Sequence, residues 1–261
     1  MNPALWIAKT GLDAQQTRMG VISNNLANVN TTAFKRGRAA FQDLMYQNLR
    51  QVGAQSSQNT QLPSGLNLGT GVRTVATQKI FTQGNITQTG NSFDLAVDGR
   101  GFFQVLRPDG TQAFTRDGSF QINLEGRLVT NDGYEIQPSI VLPPDAQSVT
   151  VSRDGLVSAQ LPGQPQPATI GAIQLADFPN PAGLEPIGDN QFVESGASGA
   201  PLIGTPGLAG LGGLVQGALE TSNVNTVEEM VNMIETQRAY EMNSKAISTA
   251  DQMLQTLNRE L

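Results

Sequence analysis

Near its start the chain carries a four-and-three alternation of apolar residues: Leu5, Ala8, Leu12, Met19, Ile22, Leu26 and Val29, with Gln15 as the one polar residue in the row. This spacing lays them along one narrow stripe of a helix, which calls for another helix against it. It predicts a helix from Asn2 to about Asn30, with Pro3 in its first turn. The stripe stops in Asn28–Thr32, which is rich in turn-forming residues. At the other end, no Gly or Pro interrupts the chain from Thr226 to Leu261. Ile247, Ala250, Leu254, Leu257 and Leu261 form a second heptad seam, and Val227, Met230 and Ile234 an earlier one in a different register. The two do not join smoothly across Glu235–Ala239, so this helix either twists there or meets different neighbours. Thr226 is expected to cap it, with Glu229 reaching back. Gly11 and Gly20 weaken the first helix, so it needs a partner. That partner is either the other end of the same chain or another subunit, and both arrangements stay open.

Between the ends the period changes to two. Val72–Ile80 and Asn85–Thr89 alternate, and short apolar runs follow at Phe93–Val97, Phe102–Leu106, Ala113–Thr115, Phe120–Asn123, Leu128–Thr130 and Ser148–Ser152. Five Asp-Gly pairs, beginning at Asp98, Asp109, Asp117, Asp132 and Asp154, punctuate them. Such pairs are strong hairpin signals because the turn needs positive φ. Thr169–Ala176 and Gln191–Glu194 extend the pattern less regularly. The expected fold is α+β: terminal helices pair as a coiled-coil-like module around a central, mainly antiparallel β body. Residues 1–45 make the N-terminal half of the helical module, and Ala39 to about Arg50 reads as a short helix or an irregular continuation. Residues 46–71 read as an extended arm or linker, 72–200 as the β body, 201–222 as a Gly-rich linker, and 223–261 as the C-terminal helix.

Composition narrows the chemistry. The net charge of −6 argues against nucleic acid or an anionic membrane as the main partner, and no apolar run approaches the length of a membrane span. The chain has no His and no Cys. His-based triads, thiol nucleophiles, disulfides and His/Cys zinc sites are therefore excluded. Carboxylate pairs remain open, but the Asp residues sit mostly in turns that explain them. Gly207–Gly213 lacks the Lys-Ser/Thr of a phosphate loop. No enzyme, cofactor or metal is expected. Phe34–Arg38 holds a basic cluster, read as solvated or as an interface feature. Met1–Ala8 lacks a basic leader, and Lys9 and Asp13 interrupt any apolar core of a secretion signal.

Three stretches are distinctive: SNNLANVNTTAFKR (Ser23–Arg36), DLAVDGRGFFQV (Asp94–Val105) followed by FTRDGSFQINLEGRLVTNDGYEI (Phe114–Ile136), and ETSNVNTVEEMVNMIETQRAYEMNSKAISTADQMLQ (Glu220–Gln255). Together they resemble the flagellar rod and hook axial family over both ends and most of the centre. The resemblance implies a structural subunit of the distal rod, self-assembling into a rigid helical tube that transmits motor torque to the hook. It implies export through the flagellar type III apparatus without a cleaved signal, and a place in the periplasmic rod of the basal body. Other rod proteins, the hook side and the surrounding bushing rings would be partners. A proximal rod or hook subunit is the alternative, followed by a β-rich binding module on a helical stalk. The stalked module has no Trp platform for sugar, since Trp6 lies in the helix.

Assembly is expected to rest on Leu5, Leu12, Met19, Ile22, Leu26 and Val29 of the first seam, and on Asn24, Asn28, Thr32 and Phe34 beyond it. At the other end Val227, Met230, Ile234, Arg238, Tyr240, Ile247, Leu254 and Leu257 are expected to contribute. The arm Gly53–Arg73 is similar to the stretch associated in this family with a straight shaft. That resemblance implies a role in rigidity for Gly53, Gln55, Ser56, Gln61, Leu62, Pro63 and Gly65.

Overall fold

The computed structural model describes residues 3–51, 55–57, 60–61, 64–163 and 166–260. The chain divides into two compact units. One comprises residues 1–27, 37–78 and 225–261; the other comprises 28–36 and 79–224.

In the first unit, helix α1 spans Pro3–Ala27 and helix α2 spans Thr226–Glu260. They pack antiparallel, since Asn25 of α1 reaches Glu229 while Gly11 faces Asn243. The cap of α2 is Asn225, not Thr226: its Oδ1 accepts from the backbone N–H of Val227 and Glu228, at 3.0 and 3.4 Å. Glu229 is turned instead into the helical pair, where it accepts from Asn25 Nδ2 at 3.3 Å.

The segment expected to continue as a short helix is strand. Gly37–Asp43 pairs with Val72–Lys79, and Tyr46–Arg50 pairs antiparallel with Leu66–Gly69. The arm read as a loop or extended linker is thus a long β-hairpin, extended by a short pair, Gln55–Ser57 with Thr60–Gln61. Backbone pairing supplies the hydrogen bonds that a bare loop would leave to water. Its base is closed by Leu44 N donating to Gly71 O at 2.9 Å, and it is clipped to α1 by Val72 N donating to Thr10 Oγ1 at 3.3 Å. Gly71 sits at φ +122°, where a side-chain carbon would collide with Thr10 Oγ1.

The second unit is the β body, and every strand pairing with a resolved register in it is antiparallel. A nine-stranded sheet is centred on Phe102–Leu106. One edge of that strand pairs Gln112–Thr115; the other is shared by Leu175–Asp177 and Glu135–Gln137. Both of its faces are covered, so side chains of period two enter two cores. Phe103 and Val105 join Leu95, Val97, Phe120, Ile136, Ile173 and Leu175. Phe102 joins Phe114, Phe178, Leu184 and Phe192, with Phe81 packed against them. The rings meet edge to face, with centroids 4.8–6.3 Å apart among these residues. Ser148–Val151, Leu156–Gln160 and Ala168–Ala172 form a separate three-stranded sheet.

Three of the five Asp-Gly pairs close hairpins: Asp109-Gly110, Asp132-Gly133 and Asp154-Gly155, each with its Gly at φ near +80°. Asp98-Gly99 and Asp117-Gly118 do not, because the strands on either side of each take other partners. Asp117 carries its own local turn, accepting from Ser119 N and Oγ at 3.0 and 2.8 Å. The stretch read as a Gly-rich linker also enters the body. Leu202–Gly204 pairs with Leu175–Asp177, Gly213–Gln216 with Leu95–Asp98, and Ala218–Glu220 with Ile86–Gln88. Its glycines allow backbones to approach closely, and Leu211 and Leu214 fill the core.

Two glycines of the first unit should respond oppositely to alanine. Gly20 lies in α1 with open space around it, so Gly20→Ala should stabilise the helical unit by about 0.5–1 kcal/mol. Gly71→Ala should destabilise it. Thermal unfolding followed by helical circular dichroism checks both signs.

Candidate assembly surfaces

Among the expected assembly residues, the first seam up to Leu26 lies along the face of α1 that is at least partly covered, and Val29 falls beyond the helix, which stops at Ala27 and not near Asn30. Ile22 is buried, and Leu5, Leu12, Met19, Leu26 and Val29 are half-buried. The covered face of α2 is mostly small or polar: Glu229, Thr236, Asn243 and Ala250 are buried or half-buried there, with Met233 and Ile247 as its large apolar members, both half-buried. Gly11 leaves room for Asn243, whose Nδ2 would lie 3.1 Å from a side-chain carbon at that position. Polar groups in a helical seam fix its register at some cost in stability.

The earlier heptad of α2 points the other way. At about 100° per residue, Val227, Val231 and Ile234 lie roughly half a circumference from Thr236, Asn243 and Ile247. Val227 is 71% exposed and Ile234 51%, and Met230, Val231, Tyr240 and Met242 are also exposed. Arg238 stands in this outer stripe, exposed. The two registers therefore lie on opposite faces of the helix: one faces α1 and the earlier heptad is exposed. Leu254 and Leu257 lie on α2, but their side chains fall outside the described residues.

The hairpin arm presents a second apolar surface. Met45, Tyr46, Leu49, Leu66 and Leu68 are exposed on it. A two-stranded ribbon open on both faces is marginal by itself in water. Gln55, Ser56 and Gln61 sit in its outer strand pair, and Gly65 lies just before the returning strand. Gly53, Leu62 and Pro63 lie outside the described residues.

The remaining expected residues lead to a site the sequence reading missed. Asn24 is exposed and Asn28 half-buried; Thr31 Oγ1 donates to Asn28 Oδ1 at 3.1 Å. Thr32 contributes its carbonyl, which accepts from Asn190 Nδ2 at 2.9 Å. Phe34 is buried, with the Lys79 ammonium 4.1 Å above its ring. Of the basic cluster, Arg38 is exposed and Arg36 half-buried, but Lys35 is withdrawn from water. Lys35 is 1% exposed; its Nζ donates to Glu220 Oε1 at 2.5 Å and to Thr82 O at 2.9 Å. Glu220 is equally buried and also accepts from Gly84 N at 2.8 Å. Its other oxygen lies 3.5 Å from Arg116 Nη1, while Arg116 Nη2 donates to Gly99 O at 2.7 Å. Asn223 completes the cluster. Its Oδ1 accepts from Arg36 N at 2.7 Å, and its Nδ2 donates to Ile80 O and Thr82 O at 2.8 and 3.0 Å.

Two cations thus share one buried carboxylate. Burial pulls the Lys35 ammonium below its ordinary pKa, against the opposing pull of Glu220; Arg116 adds to the lowering. Burial lowers Arg116 as well, and burial alone lowers Lys79. Burial pushes the Asp117 carboxyl up, against the Ser119 hydrogen bonds. The only sequence sign of this cluster was a Lys following a Phe in a turn-rich stretch.

All three distinctive stretches converge on this cluster: Lys35 from the first, Arg116 from the second, and Glu220 and Asn223 from the third. The same stretches match family models. Residues 5–35 match "Flagella basal body rod protein", 96–159 "Flagellar hook protein FlgE/F/G D1 domain", and 215–260 "Flagellar basal body rod FlgEFG protein C-terminal". The chain is a structural component of axial flagellar type, and it belongs to the flagellar basal-body rod protein family. It is 60% identical over 259 residues to the flagellar basal-body rod protein FlgG of Buchnera aphidicola subsp. Schizaphis graminum, covering 99% of this chain and all of that one. It is 50% identical to the protein of that name from Caulobacter vibrioides, over 98% of each chain. The one from Bacillus subtilis is 38% identical, also over 98% of each. The family places the chain in the flagellar basal body as a structural protein.

Glu220→Ala should destabilise the β body by about 3–5 kcal/mol, because the buried Lys35 and Arg116 groups lose the carboxylate they share. Urea unfolding of both proteins measures this. For Lys79 the folded pKa is below the unfolded value of 10.5. The unfolded chain therefore binds more protons between the two values, and this residue's contribution to stability rises with pH across that window. Lys79→Met should remove that part of the slope, as read from unfolding midpoints over an alkaline pH series.

Proposed function

We propose that the chain is the structural subunit of the distal flagellar rod, self-assembling into a rigid helical tube that carries motor torque toward the hook. The observation that carries this reading is the two-faced α2. One face packs on α1 and the opposite face leaves Val227, Met230, Val231 and Ile234 in water. Apolar surface of this kind, ordered on a helix, is characteristic of a surface that meets another protein. A contact between unlike surfaces of identical subunits does not close a dimer. It repeats into a ring or an open helix, and a shaft is the open helix. The exposed apolar residues of the hairpin arm fit a second contact of the same lattice, and the arm stiffens the shaft by bridging subunits.

Other rod proteins at one end, the hook side at the other and the bushing rings around the tube are the expected neighbours. The subunit reaches the periplasm through the flagellar type III apparatus without a cleaved leader. A narrow helical module whose outer face awaits partners suits such a route, because coupled folding and binding defers part of the burial until assembly.

Ile234→Asp should block polymerisation while leaving the folded monomer intact, because the side chain faces outward. Sedimentation and electron microscopy of the purified protein read assembly, and circular dichroism reads the fold. Straight tubes formed by the folded variant would refute the outer-face contact.

A further inference from the structure

The chain passes between its two compact units after residues 27, 36, 78 and 224. Each passage is a few residues in sequence from the buried cluster, which lies wholly within the β unit. Three segments meet there: 28–36, 79–84 and 220–223. Ala33 N donates to Glu220 O at 2.8 Å, Asn223 N to Phe34 O at 3.3 Å, and Arg36 N to Asn223 Oδ1 at 2.7 Å. These contacts advance together along both segments, so the N-terminal and C-terminal segments run in the same direction. The third segment is tied across them. Ile80 N donates to Arg36 O at 2.9 Å, Lys79 Nζ to Lys35 O at 3.0 Å, and Lys35 Nζ to Thr82 O at 2.9 Å.

From this arrangement we propose a second role for the cluster: it is a mechanical clamp through which tension along α1 and α2 enters the β body. The α1 side pulls on the N-terminal end of its segment, and the α2 side pulls on the C-terminal end of its own. Because the segments are parallel, that pull loads their bonds side by side in shear instead of peeling them one at a time. Bonds loaded together resist as a set. Glu220 stiffens the set, because parting it from Lys35 and Arg116 separates buried charges where screening is weak. Asn223 locks all three segments through its two side-chain atoms. The biological use of such a clamp rests on the reading of the chain as a torque-carrying shaft; the clamp itself does not.

Single-molecule pulling on the purified full chain tests it. The protein has no Cys, so S23C with M230C places handles on α1 and α2, and D109C with D145C places them on two exposed positions of the β body. The expected result is a discrete high-force rupture when the parent chain is pulled through the helices. Asn223→Ala, which removes no charge, should lose that rupture in the helix geometry and keep the parent rupture in the body geometry. Glu220→Gln, which also unpairs two buried cations, should lower the rupture in the helix geometry by more than in the body geometry, with circular dichroism reading its fold. Absence of the high-force event in the parent overturns the clamp. So does an equal fall in both geometries, which is general weakening. A parent chain that shows the rupture but never polymerises overturns the shaft reading and leaves the clamp standing.

Discussion

One buried carboxylate sets the terms for the β body. Glu220 loses its water only because Lys35, Arg116 and Gly84 N surround it. A charge in that position is tolerable when its partners are present and costly when one is missing. The fold must therefore bring residues 35, 84, 116 and 220 together in any native state. This requirement closes the loop between the two ends of the chain, which lie 185 residues apart at Lys35 and Glu220. The aromatic core beneath follows from the same arrangement, since Arg116 stacks 5.3 Å from the Phe102 ring centre.

The helical unit is organised by a different economy. Its internal seam is apolar on α1 and largely small or polar on α2, with Thr236 fully buried and Glu229 nearly so. Such a seam specifies alignment more than it contributes stability. Several large apolar side chains of α2, among them Val227, Met230 and Ile234, lie on the outer face, and those of the hairpin arm are exposed as well. An isolated subunit designed for stability alone would reverse this choice. A subunit whose final environment is a lattice of copies gains from it, because the outer stripe is buried only in the correct assembly.

Much of this was legible from local pattern. The helices at both ends, the strand at Val72–Lys79 and the short strands from Phe102 to Thr130 follow directly from periods of 3.6 and 2. Three Asp-Gly turns were correct for the reason given, positive φ at the glycine. The errors share a cause. Asp98-Gly99 and Asp117-Gly118 carry the same dipeptide, but their flanking strands pair elsewhere. The stretch from residue 201 onward has linker composition, yet its strands are held by partners more than 100 residues earlier in two of three cases. Tyr46–Arg50 and Leu66–Gly69 are exposed in every residue but pair with each other. The Thr226 capping box was displaced by one residue because Asn225 is free to cap and Glu229 has a better partner in Asn25.

By itself, then, the sequence determined where helix and strand form, that the helix faces seek partners, and that His or Cys chemistry is absent. These depend on side-chain type and spacing, which act over a few residues. Only the tertiary structure decided which face of α2 turns inward, which strands pair across the Gly-rich stretch, and that Lys35 is buried. A lysine in a turn-rich segment is ordinarily solvated, and no local signal marks the exception. It is buried because a carboxylate far along the chain meets it, and that meeting is a property of the folded arrangement alone.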